Sequence, residues 1–311
     1  MRALPLAIEA ACASLASSQY GLLTRDQALR LGMSKDSINR RARAGVLIRV
    51  FPGVFRDAAV PRSWLKRAMA THLWAGHTSL IAGAAAAALH QLDGFALPSR
   101  IEVWSPRPLK PPNPLVIPRR TELVEIHDRV AVGGIAVMEP VRALIDVAGT
   151  VSDERLEVAL EDLMRRRLAT VEQVIDRLGR IPANCRGRQQ LIILLSRRGA
   201  DPPAESGLEV KVIRMLRAEG YPHPIRQRVL NDEGRFIGRV DLVFPERRLI
   251  LEVDSFRYHS GRASFEGDRS RRNSLTALGW TVLHITHLMM KEARPQLLLD
   301  IARSYNRPLC A

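Results

Sequence analysis

An α+β / α/β multidomain architecture is what this sequence leads one to expect, and three observations carry the expectation. At 311 residues the chain outgrows one ordinary core and divides into two or three domains. Near the N-terminus, two short helix signals are followed at once by a tight hairpin signal. In the last third, a helix, three strands, a helix and another strand follow in order, which suits a mixed sheet flanked by helices. The boundaries expected are 1–60, 61–200 (a mixed helical and β region) and 204–311.

Composition narrows the function classes. With 46% hydrophobic and 25% charged residues the chain is of ordinary soluble, globular make-up. Lys and Arg number 47 against 32 Asp and Glu, a net +15 that favours polyanionic partners, nucleic acid before anionic membrane. Segments 1–60, 61–203 and 204–311 each carry +5 (9 basic against 4 acidic, 20 against 15, 18 against 13), so the charge is not a basic tail. Cys12, Cys185 and Cys310 lie far apart, which argues against a disulfide framework or structural zinc and fits a reducing cytoplasm. Glu9 interrupts any apolar leader, and the longest apolar run, Leu80 to Leu89, is too short to span a bilayer. That run reads as an Ala-rich core helix, and no membrane partner is expected.

In chain order, residues 5 to 17 are helix-compatible. Thr24 and Gln27 have capping-box spacing for a short helix that Gly32 stops. Ser34 caps a second helix from Lys35 to about Ala44, ended by Gly45. This is a helix-turn-helix, with Ile38 and Ala42 expected inward. Lys35, Ser37, Asn39, Arg40, Arg41 and Arg43 are expected outward, as types that contact phosphates and base edges in a major groove. Val46–Val50 and Val54–Arg56, turning at Phe51-Pro52-Gly53, then form the wing of a winged helix. From Gly21 to Asp57, the runs Gly-Leu-Leu-Thr and Gly-Met-Ser, the basic helix and Gly-Val-Leu-Ile-Arg-Val-Phe-Pro-Gly-Val-Phe resemble the N-terminal domain of AbiEi-type antitoxins. That resemblance implies a DNA-binding, autoregulating winged helix with a toxin as a further partner.

Between Ser63 and Leu92 two helices are expected. Ile101–Trp104, Leu123–His127 and Val130–Met138 point to a small sheet, and the Pro-rich 106–118 to a loop. Helices follow from Pro140, Asp153, Val171 and Arg188. His77, His90 and His127 are scattered and read as structural.

Chemistry concentrates in 239–259. Two apolar runs, Val240–Phe244 and Leu249–Val253, flank Pro245-Glu246-Arg247-Arg248, a β-hairpin with a four-residue loop. Pairing Phe244 with Leu249 sets Asp241 opposite Glu252, on one sheet face. Asp254, two residues on, shares that face. Carboxylates so placed raise one another's pKa unless a cation sits among them, and a divalent ion with oxygen ligands, Mg²⁺ or Mn²⁺, is the economical answer. Ser-Gly-Leu-Glu, Arg-Val-Asp, Leu-Glu-Val-Asp-Ser, Tyr-His, the Asp268/Arg272 helix and Gly-Trp-Thr-Val-Leu resemble Vsr-like (very-short-patch-repair-related) endonucleases of the PD-(D/E)XK superfamily. The resemblance implies a restriction-endonuclease-like mixed sheet flanked by helices, with Asp241 and Glu252 at the metal and Glu209 or Glu205 in support. Asp254 stands where the superfamily's lysine would be, and His259 takes the role of the family's histidine near the metal. Metal-dependent phosphodiester hydrolysis is then the first expectation: Mg²⁺ on Asp241, Glu252 and Asp254, His259 moving a proton, Arg272 gripping phosphate, Arg257 and Arg269 along the DNA backbone. The second is a non-catalytic DNA-binding regulator or antitoxin with a degenerate nuclease fold.

Overall fold

The computed structural model describes residues 5–121, 126–198, 202–232, 235–254 and 271–307. They are a mixture of helices and three sheets, as expected from the order of signals. The chain divides into two compact units, Met1–Val151 with Glu172–Gln189, and Ser152–Val171 with Gln190–Ala311.

The first unit begins with α1 (Leu6–Ser18), β1 (Leu22–Thr24), α2 (Arg25–Arg30), α3 (Lys35–Arg43), β2 (Leu47–Phe51) and β3 (Val54–Asp57). Local chemistry sets each boundary. The Thr24 hydroxyl accepts from the Gln27 amide while the Gln27 side chain takes the Thr24 amide, a complete capping box. Ser34 accepts from Ser37 N at 3.1 Å and starts α3. Gly45, at φ +75°, ends it where a residue with a Cβ would be strained. The antiparallel sheet, ordered β1-β3-β2, closes on Cys12, Leu23, Ala28, Met33, Ile38 and Phe55. Burying the larger of these side chains contributes about 1.5–3 kcal/mol each.

The same unit continues with α4 (Trp64–Ala75), β4 (Leu80–Ala82), α5 (Gly83–Leu89), β5 (Ile101–Ser105), β6 (Val116–Arg120), β7 (Arg129–Val132), β8 (Ile135–Met138) and α6 (Pro140–Ala148). Two expectations are corrected here. Leu80–Ala82 is a strand between β5 and β8, and only Gly83–Leu89 is helical. A fully buried apolar run fits either element, and sheet partners far along the chain decided it. Pro118, expected in a loop, lies in β6. That strand is at the edge of the sheet (β6-β5-β4-β8-β7), where its missing N–H costs no ladder bond. The strand expected at Leu123–His127 falls largely outside the described residues, and 126–128 is a 3-10 turn.

After α7 (Asp153–Arg165) and α8 (Val171–Arg180), the chain runs through α9 (Arg188–Arg198) and α10 (Gly207–Ala218) into β9 (Ile225–Asp232), β10 (Arg235–Phe244) and β11 (Leu249–Asp254). A helix over 271–277 (α11), β12 (Thr281–Thr286), α12 (His287–Glu292) and α13 (Arg294–Tyr305) complete it. The sheet order is β12-β11-β10-β9, with β11 and β12 parallel and the rest antiparallel, hence mixed. Leu208, Val212, Met215 and Leu216 of α10, at helical spacing, pack on Leu242, Phe244, Leu249 and Leu251. Helices α12 and α13 were not anticipated. Helix α13 brings Leu297 and Ile301 onto that core, and α12 packs Met289 and Met290 against it. Beneath α7, Glu161 takes Arg198 Nε at 2.9 Å, Arg226 Nη1 at 3.1 Å and the Ala204 amide at 2.9 Å, all in the interior. One buried carboxylate thereby fixes three segments, because each partner would otherwise be an uncompensated charge or orphan donor.

Candidate nucleic-acid interface and acidic pocket

On α3 the amphipathic split is sharper than the sequence pattern. Ile38 is 1% exposed, and Ala42 packs on the same core. Ser37, expected outward, is 4% exposed and faces the interior beside Ile38, because helix geometry sets neighbours about 100° apart and the core stripe is wide enough to take both. Lys35, Arg40 and Arg43 reach solvent. Arg41 pairs with Glu9 of α1, and Asn39 Oδ1 accepts from Arg25 Nη2 at 3.1 Å. Arg25 in turn lies 5.5 Å over the Phe55 ring. Three of the six residues thus point to solvent as cations, two are tied to neighbouring elements, and one is core. Strands β2 and β3, closed by Gly53 at φ +74°, stand next in the chain as the wing.

In the second unit the hairpin register is the one expected: Phe244 opposite Leu249, Val243 opposite Ile250 and Leu242 opposite Leu251. One step on, the strands no longer exchange ladder bonds. Asp241 Oδ2 accepts the Val253 amide at 2.8 Å instead, so the aspartate side chain fills the opening between β10 and β11. The register carried one step on sets Asp241 opposite Glu252, and the two carboxyls lie close enough to act on one another. Glu209, on α10 and 2% exposed, joins them through Gln227, whose Nε2 donates to Glu209 Oε2 (3.2 Å) and Asp241 Oδ1 (3.3 Å). Gln227 sits at φ +49°, an unfavourable conformation for a side chain of its kind, and its Oε1 is buried without a hydrogen bond. Burial first, then Asp241, pushes the Glu209 pKa up to about 7 against the pull of the Glu205 amide and Gln227. Burial likewise raises Glu252, with Arg271 opposing and Asp241 and Asp254 adding.

Asp254, two residues along β11 from Glu252, meets a histidine. Its Oδ2 lies 3.2 Å from His284 Nδ1, and Arg272 Nη2 lies 2.7 Å from His284 Nε2. Arg272, expected to hold phosphate, is engaged with this histidine, and His284 neighbours Glu252 across the parallel β11–β12 register. The ionic partner of Glu252 is Arg271, whose Nη2 also donates to the Arg239 carbonyl at 2.9 Å. Glu205 pairs with Arg239. Gln227, Arg271 and His284 were not anticipated from the sequence. A polar residue inside a strand signal and an arginine adjoining Arg272 were the only hints. Arg257, His259, Asp268 and Arg269 lie outside the described residues.

Among the described residues no three His, Cys, Asp or Glu side chains are grouped so as to hold a metal ion. The donor chemistry agrees: Asp241 is engaged by the Val253 amide and Gln227, Asp254 by His284, and Glu252 by a guanidinium. As placed, each of these three carboxylates is met by a protein partner.

Known proteins resemble this chain at two scales. Two uncharacterised proteins of Mycobacterium tuberculosis, from strains CDC 1551 / Oshkosh and ATCC 25618 / H37Rv, are 27% identical to the chain over 282 residues, taking in 88% of it and 98% of each relative. The crystal structure of RV2827C protein from the same species matches 68% of this chain and 83% of its own, at 20% identity and a TM-score of 0.42. Residues 13–56, from within α1 to the end of the wing, match the family described as "Transcriptional regulator, AbiEi antitoxin", and it is to those regulators that the N-terminal domain of this chain is similar.

Proposed function

We propose that the chain is a DNA-binding transcriptional regulator of the antitoxin kind, working in the cytoplasm. The observation that carries this reading is α3, capped at Ser34 and presenting Lys35, Arg40 and Arg43 to solvent ahead of a two-stranded wing, inside the stretch similar to AbiEi regulators. In it, α3 enters the major groove and the exposed cations meet phosphates. Asn39, steadied by Arg25, is the residue placed to reach a base edge. Residues 204–311 would be a nuclease-like scaffold. No helix among the described residues is long and apolar enough to cross a membrane. The test is binding to the DNA upstream of the chain's own coding sequence, followed by fluorescence anisotropy across salt concentrations. Saturable, sequence-dependent binding supports the reading, and affinity equal to that for scrambled duplex refutes it. A toxin encoded beside the gene is the protein partner this reading implies, and co-purification from a co-expressing strain tests that part.

Mg²⁺- or Mn²⁺-dependent phosphodiester hydrolysis is the second reading, and one observation favours it. Glu209 and Glu252 are both raised by burial beside Asp241, the kind of perturbation that functional sites carry. An assay of DNA nicking with Mg²⁺, repeated with Asp241→Ala, decides between the two.

A further inference from the structure

We infer that Arg271 is the resident cation of the acidic pocket, a guanidinium standing where a divalent ion would otherwise be demanded. The inference rests on the regulator reading above, and concerns what the second unit does with its carboxylates. Three independent features of the chain are built around this side chain. Its Nη2 reaches both Glu252 and the Arg239 carbonyl, which ties β11 and β10 together at the point where their ladder has opened. The route it takes crosses β10 at Gly238. A Cβ there would stand 2.6 Å from Arg271 Nε and 2.9 Å from its Cδ, closer than real side chains approach. The β9–β10 register also slips at Phe236/Gly238, a bulge that reshapes the strand under the arginine. A glycine, a strand irregularity and a freed carbonyl are thus all accounted for by one guanidinium.

The balance of charge points the same way. Asp241 and Glu252 stand side by side where β10 and β11 part, in a part-buried site, and like charges so placed are short of positive charge. A guanidinium supplies it with planar, directional donors that a point charge lacks. It comes from α11, so its contact with Glu252 and the Arg239 carbonyl ties that helix to the sheet. The pocket is then a clasp inside the fold.

The test uses the full-length protein and Mn²⁺ as probe, read by electron paramagnetic resonance and by thermal unfolding. Arg271→Gln removes the charge at similar size. Gly238→Ala leaves Arg271 in the sequence and denies it the passage, so the two variants reach the same state by different means. The wild type is expected to bind no Mn²⁺ that Asp241→Asn abolishes. Both variants are expected to bind Mn²⁺ at least tenfold more tightly than the wild type, and to recover several degrees of melting temperature when it is added. Introducing Asp241→Asn into either variant should erase both effects. An Mn²⁺ site in the wild type that Asp241→Asn removes would overturn the inference, as would folded Arg271→Gln and Gly238→Ala proteins that gain no Mn²⁺ binding. If Arg271→Gln fails to fold, Gly238→Ala alone carries the decision. Operator binding by α3 is measured separately, so failure of the regulator reading shows as absent DNA recognition with the metal data unchanged.

Discussion

The basic helix of the first unit and the acidic pocket of the second handle charge in opposite ways. On α3, Lys35, Arg40 and Arg43 stay in water, cost the fold nothing to keep, and are available to a polyanion. In the second unit, Glu209, Glu252 and Glu161 are taken out of water, and each is answered from within the chain: by Gln227 and the Glu205 amide, by Arg271, and by Arg198 with Arg226. Exposed charge is disposed for a partner, whereas buried charge holds the fold together. The contrast explains why removing one residue should act so differently in the two places.

The sharpest break expected is Glu161→Ala. It strands Arg198 and Arg226 in the interior, and urea unfolding should show a loss of roughly 3–5 kcal/mol, the scale of a broken buried ion pair. A loss below about 1 kcal/mol would mean that buried charge is not what fastens this unit. Next is the pH dependence of Glu209. Its folded pKa, about 7, lies above the ordinary 4.5, so the native state holds the proton more firmly than the unfolded chain. The stability this contributes is complete below about pH 4.5 and falls away as pH rises through 7, by on the order of 3 kcal/mol at most. Glu209→Gln should flatten that decline and leave the protein more stable than the wild type at pH 8, as measured by denaturant midpoints across pH.

On the exposed side, Lys35→Ala, Arg40→Ala and Arg43→Ala together should leave the melting temperature nearly unchanged. They should also weaken DNA binding and reduce the salt slope by about 0.9 for each phosphate left without its cation. A large fall in melting temperature with an unaltered slope would reverse the roles assigned to the two regions. The smallest effect is local: Thr24→Ala removes half of the capping box of α2 and should cost about 1 kcal/mol by chemical denaturation.

What could be read from the sequence followed the reach of the forces involved. Thr24, Gln27, Ser34 and Gly45 act within a turn of the residues they cap, and the helices they delimit are where those residues put them. The hairpin register at Phe244 and Leu249 is equally local, since turn length fixes it. That Asp241 and Glu252 face each other follows from the same register. The misreadings came at long range. Ser37 turned inward because the width of the core stripe, set by α1 and the sheet, decides the face of α3. Leu80–Ala82 became a strand because Ile81 pairs with Val103 and Val137, far along the chain. The partner of Glu252 was missed because Arg271 reaches it only once Gly238 has cleared a path.

Gln227 has an effect beyond the carboxylates it links. Strand β9 is the outer strand of its sheet, and Ile225 and Val229, either side of Gln227, are among its exposed apolar residues. A left-handed kink between them breaks the straight row of outward backbone groups that a stranger's strand would need for zippering. A strand from another molecule laid along this border would have to follow that left-handed residue, which a regular extended backbone does not do.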